Sequence, residues 1–271
     1  MNRQTISPET EIRGNAFSIS PALPGSGFVI NGITLHPSRV IHGEHRVDIK
    51  EGERVAFIVE HPVAVATILG IHDAIITGTR QSWDFYRASD REAHARDLPP
   101  SSVLGLADGS IGGDVAGIAE RASIVASSMP LELLGVKSRV DLVTVDGNKI
   151  SVEPAAPGMI VLDITLYFLN LGPLHVVLDP GKGLLDETGA EGIKIAALRA
   201  RSGAVIGPRD EALLHAAGDV IADIAGTGNI RAGKVTATLG IGYHKATIGI
   251  VKRIHAERLA VPVSCPPRKE T

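Results

Sequence analysis

A single cysteine, Cys265, stands in a chain of 271 residues. It can build neither a disulfide framework nor a cysteine metal cluster. A bound metal would therefore have to be held by His, Asp or Glu, and there are ten histidines to draw on. Long hydrophobic runs are missing too. Every apolar stretch is broken by charge, His, Pro or Gly well before the roughly 20 residues a membrane-spanning helix needs. The opening MNRQTISPETEIRG lacks the apolar core of a signal peptide. No transmembrane segment is expected, and the expected location is the cytoplasm. Strong charge is also absent: a net charge of −3 gives no reason to expect a nucleic-acid partner.

What is present is the balance of a globular protein, 44% apolar and 21% charged. The length suits one large domain or two ordinary ones. The most informative stretch is AFIVEHPVAVATILGIHDAIITG, residues 56–78. The apolar run Val55 to Val59 reads as a buried strand, and Pro62 can start a helix that Gly70 closes. A second apolar run, Ala74 to Ile76, follows. Glu60 and His61 thus fall at a strand–helix junction, which holds side chains rigidly at the edge of a core. They suit a general base beside a metal ligand, or equally a histidine satisfied by its neighbouring carboxylate.

The first half also contains Gly32-Ile33-Thr34-Leu35-His36, with His36 either lining a cleft or capping a turn. A polar region over 79–115, containing Asp108-Gly109-Ser110, follows, and residues 115–127 have helical spacing. The second half opens as a meander, with strands at Val140 to Val145 and Lys149 to Val152 around the turn Asp146-Gly147-Asn148. An apolar strand contains Leu162-Asp163-Ile164-Thr165. A helix of good formers ends at Gly203, and Thr188 can cap its start. Pro208 is placed to start another helix. There Leu213, Leu214, Ala217, Val220, Ile221 and Ile224 share one face at 3.6-residue spacing. Glu211, His215 and Asp219 lie opposite at i, i+4, i+8, as a ligand stripe or as a solvated face. An alternating strand then leads to Gly242-Tyr243-His244, and the proline-rich tail after Val261 reads as disordered.

These motifs, in this order, resemble the UDP-3-O-acyl-N-acetylglucosamine deacetylase family, the zinc enzymes of lipid A biosynthesis. The carrying residues are Val59-Glu60-His61, Leu69-Gly70-Ile71-His72, Leu198 and Arg199 with Gly203, the helix stripe, and His244. The resemblance implies an α+β fold: a two-domain sandwich, residues 1–128 and 129–271, each half a β-sheet with helices packed between the two sheets. It implies a Zn²⁺-dependent hydrolase that removes an acetyl group from an N-acetylated, amphipathic sugar, nucleotide-linked or not. A monomer is expected. Glu60 takes the role of general base, Thr188 that of oxyanion partner, His244 that of acid, and Asp219 orients His244.

The family's helix carries a stripe of the form H-K-x-x-D-x-x-G-D. Aligned on Gly218-Asp219, this chain places Glu211 at the family's first ligand and His215 at its second. The expected zinc set is then His61, Glu211 and His215, with the two helix ligand types exchanged. The family's lysine becomes Ala212, so a weaker dependence on a nucleotide diphosphate is expected. The competing expectation is a non-catalytic, ligand-binding relative on the same fold. A tightly held zinc with an open position tells the two apart.

Overall fold

The structure is a computed structural model that describes residues 2–8, 12–13, 18–42, 46–57, 59–78, 124–155, 159–167, 170–179, 183–184, 213 and 216–263. The first half contributes β1 (Asn2–Ile6), β2 (Ile12–Arg13), β3 (Ser18–Pro21), β4 (Phe28–Ile30), β5 (Ile33–Thr34), β6 (Val40–His42), β7 (Val47–Glu51), β8 (Arg54–Ala56), helix α1 (Glu60–Ile68) and β9 (Ala74–Thr77). β10 (Ile124–Pro130) crosses the expected boundary at 128 and pairs antiparallel with β1. The second half contributes β11 (Leu133–Val136), β12 (Val140–Val143), β13 (Lys149–Glu153), β14 (Ile160–Leu166), β15 (Leu171–Asp179), β16 (Gly183–Leu184), a π-helix (Ile221–Thr227), β17 (Ile230–Leu239), helix α2 (His244–Ala256) and β18 (Ala260–Val263). Strands, helices and several separate sheets make the fold α+β.

The strand–helix–strand unit of the first half forms as its residues dictate. α1 begins at Glu60, two residues before Pro62, where a missing amide costs nothing. It ends where Gly70 turns left-handed at φ +73°, a conformation that favours glycine. β9 then enters a five-stranded sheet in the order β2-β3-β9-β4-β5. A smaller sheet, β6-β7-β8, delivers the chain to α1.

In the second half the sheet runs β12-β13-β17-β14-β15-β16, with β11 paired to the start of β17 and β18 paired to β11. Strict alternation along β14 turns Ile160, Leu162, Ile164 and Leu166 inward and leaves Val161, Asp163 and Thr165 on the outer side. The turn after β12 closes through Gly147 at φ +85°. Two expectations fail locally. Residues 124–127 belong to β10, because they pair with β1 and not along a helix. Val261–Val263 is strand, held by β11, despite the prolines around it.

Helical residues 216–220 run directly into the π-helix, in which Gly228 N–H donates to the Asp223 carbonyl five residues back. Every residue from 216 to 225 is buried, so this segment is covered all round. It packs against α1, α2 and β17, while α2 also lies on β12, β13 and β6. Gly226 permits the closest approach: a Cβ there would lie 2.3 Å from Val63 Cγ1 of α1. One continuous hydrophobic cluster joins Ile19, Ile30 and Ile76 of the first half to Ile164, Val235 and Ile254 of the second. Lys252 of α2 bonds to the Val40 carbonyl at 2.8 Å and ties the halves again. No helix among the described residues is long and apolar enough to cross a membrane.

Candidate metal and acid–base centre

Where α1, the segment 216–227 and the start of α2 meet, five ionisable side chains are buried together: Glu60, His61, Asp219, Asp223 and His244. Burying such groups is costly unless they satisfy one another or hold an ion. Glu60 and His61 open α1, and Glu60 Oε2 accepts from the Val47 backbone amide at 3.1 Å. Asp219 and Asp223 are one helical turn apart. His244 is the first residue of α2.

The distances sort these groups into two pairs. His244 Nδ1 donates to Asp223 Oδ2 at 2.8 Å, and Thr247 Oγ1 donates to the same oxygen at 2.5 Å. His244 Nε2 lies 3.4 Å from Asp219 Oδ2, which also accepts from the Tyr243 hydroxyl. The other oxygen of Asp219, Oδ1, faces His61 Nε2 at 3.8 Å. That separation is too long for a hydrogen bond. It is a little wider than the roughly 3.3–3.6 Å between two ligand atoms of a tetrahedral zinc, each about 2.0–2.2 Å from the ion.

The electrostatics follow from burial and charge count. Burial pushes Glu60 up to about 8, with the carboxylates of Asp219 and Asp223 adding to the rise and His244 opposing it. Burial alone would lower His244, but Asp223 and Asp219 outweigh it and hold the imidazole well above the usual histidine range. Its Nδ1 bonds to Asp223 Oδ2, its Nε2 faces Asp219 Oδ2 at 3.4 Å, and both carboxylates favour the charged ring. Neither Glu60 nor Asp223 has an arginine or lysine partner among the described residues, and Asp223 Oδ1 takes no hydrogen bond there. Three carboxyls against two imidazoles, all desolvated, fit a divalent cation by charge. An imidazole facing a carboxylate fits zinc by ligand type.

Of the residues the sequence singled out, Glu60, His61, Asp219 and His244 come together here. Asp219 is only 1% exposed, so its part of the helix stripe is no solvated face. One assignment changes. The group on His244 Nδ1 is Asp223, not Asp219, which lies instead 3.4 Å from Nε2. Thr188, Glu211 and His215 lie outside the described residues, as does Asp108-Gly109-Ser110. Among the described residues no group of three metal-binding side chains is complete. His36 is not in the cluster. Its Nδ1 accepts from Ser38 N–H and caps the turn Pro37–Arg39, and its ring meets His255 at 6.4 Å. His255 is eleven residues along α2 from His244, or roughly 16 Å at 1.5 Å per residue.

Sequence reasoning missed Asp223, Tyr243 and Thr247. The signal for Asp223 was available: it extends the spacing Glu211, His215, Asp219 by four more residues. Compared with protein-family models the chain matches none, and no curated protein matches its sequence.

Proposed function

We propose that the protein is a zinc-dependent deacetylase, a divergent relative of the UDP-3-O-acyl-N-acetylglucosamine deacetylases, acting on an N-acetylated amphipathic sugar. The observation that carries this is His61 Nε2 facing Asp219 Oδ1 at 3.8 Å, in the buried cluster that also contains Glu60 and His244. On this reading α1, segment 216–227 and α2 are the filling of a two-domain sandwich divided near residue 128.

The geometry favours a different alignment of the helix stripe from the one on Gly218-Asp219. With Asp223 as the aspartate that orients His244, the family's pattern falls on His215, Asp219 and Asp223 at i, i+4, i+8. No exchange of ligand types is then needed. The proposed zinc set becomes His61, His215 and Asp219, and the family's lysine position moves from Ala212 to Ala216, again without a charge. When bound, the zinc supplies Lewis acidity, acidifying water, polarising an amide carbonyl and lowering the proton affinity of nearby carboxylates.

Each remaining task falls to a residue of the chain. Glu60, held by the Val47 amide, takes a proton from the attacking water. Asp223 and Thr247 keep His244 protonated and aimed, so that its Nε2–H can pass a proton to the leaving amine. Thr188 is proposed as the hydroxyl on the oxyanion. A non-catalytic relative would have no use for a base and an acid buried in one cluster with a metal position.

Metal analysis of protein purified without chelator tests this, with about one zinc per chain expected. H61A and D219A should lose it, while E211Q should keep it. Zinc retained in D219A but lost in E211Q would restore the exchanged set. No zinc in the wild-type protein would end the proposal.

A further inference from the structure

Tyr243 stands immediately before His244 and points its hydroxyl at Asp219, 24 residues earlier in the chain. Its backbone is already helical, at φ −62° and ψ −20°, after Gly242 turns left-handed at φ +70°. The half-buried ring lies 4.9 Å from the His244 ring at 39° and packs on the core. The phenol is therefore held by packing on one side and by its hydrogen bond on the other.

The two oxygens of Asp219 have different surroundings as a result. Oδ2 receives the Tyr243 hydroxyl and faces His244 Nε2, while Oδ1 faces His61. A carboxylate has no intrinsic preference between its oxygens, and rotation about its last bond exchanges them. A donor fixed on one oxygen removes that freedom. The donor is a neutral hydroxyl, so it fixes the oxygen without itself neutralising the carboxylate.

We propose that Tyr243 is a positioning residue that ties down Asp219 Oδ2 and so presents Oδ1 to the cation site beside His61. The inference rests on the zinc reading above. Partners that orient a metal ligand commonly contribute 10- to 100-fold in metal affinity.

The test is zinc affinity of the whole chain, measured by competition with a chromophoric chelator, in wild type, Y243F, D219N and the double variant. Y243F keeps the ring and its packing, so melting of the zinc-free protein should not change. Its zinc affinity should fall about 10- to 100-fold, and the visible spectrum of the cobalt-loaded protein should shift. In the D219N background the same change should cost nothing more. Unchanged zinc affinity in Y243F, with zinc still lost in D219A, would overturn the role of Tyr243 and leave the zinc reading standing. A loss of equal size in both backgrounds would also overturn it, because the hydroxyl would then act on the fold and not on Asp219. A wild-type chain without zinc affinity would remove both ideas together.

Discussion

Two buried acids in this molecule, Asp73 and Glu60, have opposite surroundings. Asp73 receives two hydrogen bonds from Arg3, Nε to Oδ2 and Nη2 to Oδ1, each 2.8 Å, and a third from the Gly27 amide. Burial pushes its carboxyl up, but Arg3 and the amides of Gly27 and Gly25 outweigh this and hold it below the usual carboxylate range. Glu60 accepts from the Val47 amide but has no arginine or lysine partner among the described residues, and burial pushes it up to about 8 against the pull of His244. Asp73 joins β1 to the start of β9 in a closed, neutral pair, which is architecture. Glu60 sits in a cluster where, among the described residues, three carboxyls meet two imidazoles, which is the pattern of a functional-site candidate.

The comparison is open to experiment, beginning with the largest effect. Glu60→Gln should keep zinc and fold but lower turnover about 10²- to 10⁴-fold, the usual cost of a missing general base. Steady-state kinetics on an N-acetylated sugar, alongside zinc content, checks this. Near-normal turnover would make Glu60 only a neighbour of His61.

Asp73→Ala should do the reverse. Leaving Arg3 without its partner should cost about 3–5 kcal/mol of stability, as for other broken buried pairs, with zinc affinity retained. Denaturant unfolding measures the loss. Its pH dependence has a definite sign. The folded carboxyl titrates lower than the unfolded one, near 3.9, so its contribution is present above about pH 4. It is lost as pH falls further through the folded value, and the gap between wild type and variant should narrow there.

Gly226→Ala should give the smallest change, about 1–3 kcal/mol from overpacking against Val63. It acts where α1 meets the π-helix, so it should weaken zinc binding as well as lower the melting temperature. Unchanged affinity would mean that Asp219 and His61 hold their spacing without that contact.

Much of this was legible in the sequence. Punctuation by Pro62 and Gly70 marked α1, and alternation marked β14, because both signals are local. The Glu60-His61 junction was legible for the same reason. The partner of His244 was not, because Asp219 and Asp223 are both on one helical stripe and only packing decides which bonds to Nδ1. Residues 124–127 have helical spacing, yet become strand because β1 offers them backbone partners from the far end of the first half. Tyr243 could not be read at all: its hydroxyl matters only through a carboxylate that the chain brings back from 24 residues away.

β17 has a consequence for synthesis on the ribosome. It lies between β13 and β14, both of which are made well before it, and its end leads within five residues to His244. Until Leu239 has emerged, β13 and β14 each present an open edge with no neighbour on that side. Such edges are templates for pairing with other chains, so the nascent protein passes through a period in which chaperones have something to hold. When β17 inserts, it closes both edges at once, and its end fixes the point from which α2 starts five residues later.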